Sequence, residues 1–124
     1  MKILIISLLI ILIDSIYLSL FGGYLFKSMI KNIQKEEFNI NVYAVSFTYI
    51  LLVYVLYKFI ITQNKNPFEA FILGFCIYGI FDFTNLSIFN KYQLIPALID
   101  MIWGGTLFYL VTFITYKLSN ILNI

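Results

Sequence analysis

GFCIYGIFDFTNLSIFNKYQLIPALIDMIWGG, residues 74–105, is the stretch whose reading decides the fold. Two apolar runs meet at the polar turn Asn90-Lys91-Tyr92-Gln93, and each run carries one aspartate, Asp82 or Asp100. Apolar runs of at least ~18 residues span membranes as helices, so the two runs form a tight antiparallel hairpin. Asn66-Pro67-Phe68-Glu69 upstream is a helix start. Asn66 can cap free backbone N–H groups, Pro67 suits the first helical position, and Glu69 falls at the third. The first arm therefore runs over about residues 67–89. Gly74, Tyr78, Asp82, Asn85 and Phe89 fall on one of its faces at helical spacing. The second arm runs over about residues 94–117, with Pro96 tolerated in its first turn. Asp100, Trp103, Gly104 and Leu107 share a face there. Trp103 is placed to donate its indole N–H to a carboxylate. Gly74 and Gly79 on one arm, and Gly104 and Gly105 on the other, allow close backbone approach.

Outward from the hairpin the chain stays apolar. It is 62% hydrophobic and 11% charged over 124 residues, with mean hydropathy +0.96. Soluble domains are about 45–50% apolar and about 25% charged, so lipid is the solvent. Four apolar runs use nearly the whole chain, and the fold class is an all-α, polytopic integral membrane protein with four transmembrane helices in one domain. The other two spans cover about residues 3–26 and 42–61. Ser15, Ser19 and Gly23 make a small-residue face on the first span. Tyr43 and Tyr57 lie at the ends of the second, where amphipathic rings favour the headgroups; that span carries no acid and is assigned no chemistry. Residues 27–41 read as a solvated connector or, in part, a short interfacial helix interleaving Met29, Ile30, Ile33 and Phe38 with charges. Residues 118–124 form a short tail. Cys76 reads as a small core hydrophobe. An even number of spans puts both termini on one side. Lysines divide equally between the two sides, which leaves the orientation open.

The chemistry lies in three aspartates. Asp14, within the first span, joins Asp82 and Asp100, and antiparallel geometry puts the latter two within roughly 5–8 Å of the midplane in the same half of the bilayer. Each aspartate at a helix centre costs about 2.5–3.5 kcal/mol on insertion scales. The eight basic residues are all lysines near helix ends or in loops, so salt bridges do not relieve the aspartates. Protonated carboxyls, carboxyls sharing a proton, or a bound cation held by oxygen ligands remain open. A different reading makes the aspartates interhelical hydrogen-bond glue, with Tyr78, Thr84, Asn85 or Trp103 as partners.

The pattern Gly74…Tyr78-Gly79…Asp82-Phe83-Thr84-Asn85-Leu86, followed by Asp100-Met101-Ile102-Trp103-Gly104, resembles domain of unknown function 2177, a family of small membrane proteins found mainly in bacteria. The likeness extends over nearly the full length, including Asp14. Phe81 stands where the family often has Tyr, and Tyr17 stands where a Trp often follows the first aspartate. The resemblance implies a four-helix membrane protein and no established activity.

Three functions follow as expectations. The first is a transport-type protein, acting as an oligomer, that binds a proton, a cation or a small solute through Asp82, Asn85, Asp100, Trp103, Tyr78, Asp14 and Thr84. The second is a non-catalytic component that assembles with itself or a membrane-protein partner through glue-like aspartates. The third is a lipid-modifying enzyme, but the chain has no His or Arg, which removes His-based acid–base chemistry and arginine phosphate clamps. An aspartate pair holding Mg²⁺ would be its remaining route. No cofactor is implied beyond a possible bound cation. The scattered lysines make no nucleic-acid surface.

Overall fold

In a computed structural model, described over residues 1–36 and 39–124, Asn66 accepts the backbone N–H of Glu69 at 3.0 Å and starts a helix with Pro67 in its first turn. Asn41 does the same for Ala44 at 3.1 Å. Among the described residues four helices result: α1 (Lys2–Gln34), α2 (Val42–Ile61), α3 (Pro67–Ile88) and α4 (Leu94–Leu122). Each is long and apolar enough to cross a membrane. Among the described residues there is no strand.

Helices α3 and α4 form the antiparallel hairpin. Their backbones come into contact: a Cβ on Gly74 would run into the Gly104 carbonyl, and one on Gly104 would run into the Tyr78 ring. Lipid tails are as apolar as leucine, so the helices gain little from leaving lipid. Close dispersion contact of this kind is what holds them together.

Two helices outrun their expected ends. Residues 27–34 are neither connector nor separate interfacial helix; they continue α1 to Gln34, where Lys35 turns left-handed at φ 65°. The cause is packing. Met29 is fully buried, and with Phe26 and Ile33 it packs against Leu86, Tyr92 and Ala97 at the hairpin end. A wide π-turn at Leu18–Gly22 makes this possible. On the regular period Met29 would lie about 120° round from Tyr17, and absorbing one residue brings it within about 20°. Of the expected connector, Glu37 and Phe38 lie outside the described residues. Helix α4 likewise continues through residues 118–122 and ends at Asn123, which is left-handed at φ 60°. Cys76 is exposed on the outer face of α3 and is not a core residue.

The apolar interior is divided. A large cluster near the termini joins Ile6 and Ile10 of α1, Leu56 and Ile60 of α2, and Leu107, Phe108 and Val111 of α4. The small Met29–Tyr92–Ala97 cluster closes the opposite end. The aspartates lie between the two.

Candidate functional site

Asp14 lies on the inner face of α1, 8% exposed. Its Oδ1 accepts the indole N–H of Trp103 from α4 at 2.9 Å, and its Oδ2 accepts the hydroxyl of Tyr49 from α2. One carboxyl thus ties three helices, with both oxygens satisfied. Tyr17, one turn along α1, stacks on Trp103 with ring centroids 4.3 Å apart and planes 5° from parallel. This fixes the indole that Asp14 accepts from.

Asp82 is fully buried on α3. Tyr92, in the turn between α3 and α4, reaches back and donates to Asp82 Oδ1 at 2.7 Å. The register that sets Tyr78 against Gly104 also sets Asp82 opposite Asp100. Their carboxyl groups lie within hydrogen-bonding reach of each other. Two carboxyls have no proton to offer unless one is protonated. Asp82 Oδ2 finds no donor among the described side chains, and the buried hydroxyl of Tyr17 is also without a partner. Asp82 and Asp100 each lie about 9 Å of helix rise from the hairpin end. Trp103 is about 4.5 Å farther along α4, which puts Asp14 one turn deeper.

Two crevices flank the pair. One, of about 330 Å³, opens between α2 and α3 and ends on Asp100, with Thr48, Leu51, Ile77, Tyr78 and Phe81 in its walls. The other, of about 230 Å³, lies at the hairpin end and carries Gln34, Asn85 and Tyr92. Phe81 lines both. At this end Lys35 stands beside Lys91 and holds its ammonium below the usual lysine range. Burial, then the bond to Asp82, pushes the Tyr92 phenol up, so Tyr92 remains a donor at neutral pH.

The chain is matched from residue 1 to residue 117 by the family described as "Predicted membrane protein (DUF2177)". The chain belongs to this family. No curated protein and no solved structure matches it. For this DUF2177 protein, membership shows a membrane protein and leaves the chemistry to be read from its residues.

The structure gathers Asp14, Tyr78, Asp82, Asp100 and Trp103 in the interhelical interior, with Asn85 at the hairpin-end crevice. It leaves Thr84 exposed on the outer face of α3, away from the carboxyls. Gly74, Gly79, Gly104 and Gly105 lie in the α3–α4 contact. Ser15 and Ser19 face outward, and Gly23 approaches only the carbonyl of Leu18 in its own helix.

Two contributors escape a reading of the sequence alone. α2 is not without chemistry, since it supplies Tyr49; the turn supplies Tyr92. Tyr49 carried a signal: unlike Tyr43 and Tyr57 it is far from the span ends, where a hydroxyl in lipid needs a partner. Among the described residues, no three His, Cys, Asp or Glu side chains lie close enough to hold one metal ion.

Proposed function

We propose that this protein is a transport-type membrane protein whose Asp82–Asp100 pair binds a proton that it takes up and releases. The observation that carries the reading is Asp82 itself: fully buried, one oxygen held by Tyr92, the other without a donor, in a carboxyl close to that of a second acid. A buried polar atom without a partner is costly and rare. A proton shared between the carboxyls satisfies both groups, because two like charges at such a distance cannot both persist. The flanking crevices supply two approaches: the hairpin end, through Asn85 and Tyr92, and the α2–α3 side, through Asp100. The reading includes self-association, since four helices are few to enclose a complete route, and places both termini on one side of the bilayer.

A second reading, in which the aspartates are assembly glue, is favoured at Asp14, where both oxygens are satisfied by donors from two other helices. The two readings therefore divide the aspartates between them.

The test is proton flux into proteoliposomes loaded with a pH-sensitive dye. Asp82→Asn and Asp100→Asn are each expected to reduce the flux to the leak of protein-free vesicles. Flux that persists in both variants would overturn the proposal.

A further inference from the structure

The α2–α3 crevice has a composition that water and protons alone do not require. Its walls are Leu51, Leu52, Ile77 and Phe81, and its one ionisable acid is Asp100 at the inner end. Leu51 and Phe81, 48% and 57% exposed, stand on the outer surface of the bundle, so the mouth faces lipid. Asp82 is sealed, whereas Asp100 is only partly buried and can be reached. Thr48 spends its hydroxyl proton on the carbonyl of Ala44 at 3.0 Å, so it offers oxygen and not a donor.

We propose that this crevice binds a lipophilic monovalent cation, an organic ammonium or phosphonium with an apolar body, in exchange for the proton of the carboxyl pair. The inference rests on the proton-binding reading and names the substrate class of the same site.

Charge complementarity selects the class. A cation with its charge buried in an apolar shell partitions into lipid, reaches the mouth between Leu51 and Phe81, and meets a single carboxylate. The rings of Tyr78 and Phe81 add electrostatic attraction for a desolvated cation. A hydrated metal ion is served poorly, because hard cations take six or more oxygen ligands and the crevice walls are hydrocarbon. The volume of about 330 Å³ lies within the range of about 300–1,000 Å³ in which small-molecule sites fall. Lys35 and Lys91 give the hairpin end a positive rim, which favours release of the proton there over entry of a cation. The exchange balances: one carboxyl O–H bond breaks, the proton passes to water at the hairpin end, and the carboxylate left behind pairs with the arriving cation. One positive charge replaces another, so the net charge of the site is the same before and after.

Equilibrium dialysis of tetraphenylphosphonium against the purified full chain in a nonionic detergent tests this. Tetraphenylborate serves as the control of the same shape and opposite charge. Saturable binding of the phosphonium is expected, at least tenfold tighter than the borate, with about one proton released per cation into weakly buffered solution. Asp100→Asn, which removes the charge, and Leu51→Trp, which fills the mouth, are each expected to weaken it at least tenfold. Equal binding of the two probes to the wild-type protein would overturn the inference whatever the variants do. So would phosphonium affinity within twofold of wild type in both variants. Neither result touches the dependence of proton flux on Asp82 and Asp100, so failure here and failure of the proton-binding reading are separate observations.

Discussion

Asp14 receives an indole proton on one oxygen and a phenol proton on the other, whereas Asp82 receives one phenol, keeps its second oxygen without a donor and lies close to another acid. Both are buried aspartates in the same interior, about one helical turn apart. In lipid the alternative to an internal hydrogen bond is an unsatisfied group, so a carboxyl with two donors from two other helices is a joint. A carboxyl paired with a carboxyl is satisfied only while a proton is present, and a proton can leave. The difference lies in the partners, since the residue type is the same. A count of intramembrane aspartates would treat the two regions alike, and their donors separate them.

The comparison breaks most sharply at the pair. Asp82→Asn and Asp100→Asn are expected to abolish proton flux while leaving thermal stability in detergent unchanged or raised, the pattern of groups held at a cost for function. A clear loss of stability in both variants would make the pair a joint like Asp14. At Asp14 the expected outcome is the reverse. Asp14→Ala leaves the Tyr49 hydroxyl and the Trp103 indole without acceptors and should lower stability by about 2 kcal/mol, measured by chemical or thermal unfolding. Proton flux per folded molecule should survive.

Smaller changes sharpen the contrast. Tyr49→Phe removes one donor to Asp14 and should cost about 0.6 kcal/mol, the average for an interhelical hydrogen bond in a membrane protein. A double-mutant cycle with Asp14→Ala should show that the two changes are not additive. Least of all, Tyr92→Phe should alter the rate of proton flux by about threefold or less, with stability lowered by about 0.6 kcal/mol or less. It removes the donor at the hairpin end and leaves the carboxyl pair in place. An effect of Tyr92→Phe as large as that of Asp82→Asn would move the centre of the site to the turn.

The hairpin, its polar face and the helix start at Asn66 were all legible in the chain. They follow from local rules: apolar run length, helical spacing and capping chemistry each act within a few residues. The three aspartates could also be named, with Tyr78 and Trp103 beside them, because an ionisable group in an apolar run is conspicuous; Tyr17, Tyr49 and Tyr92 could not. The partners were another matter. Tyr49 is 35 residues from Asp14 and Trp103 is 89, and no local pattern connects them. The end of α1 was misplaced for a related reason. Residues 27–34 are too polar to be recognised as part of a span, and they become helix because Met29 finds a surface on the α3–α4 hairpin that the π-turn rotates it onto.

By itself, the sequence determined that this is a four-helix membrane protein with three carboxyls that lipid does not tolerate bare, because hydropathy and helical period are properties of neighbouring residues. Only the tertiary structure decided which carboxyl is a joint and which pair is left short of a donor. That assignment depends on which side chains from other helices arrive within about 3 Å, and packing alone sets those distances.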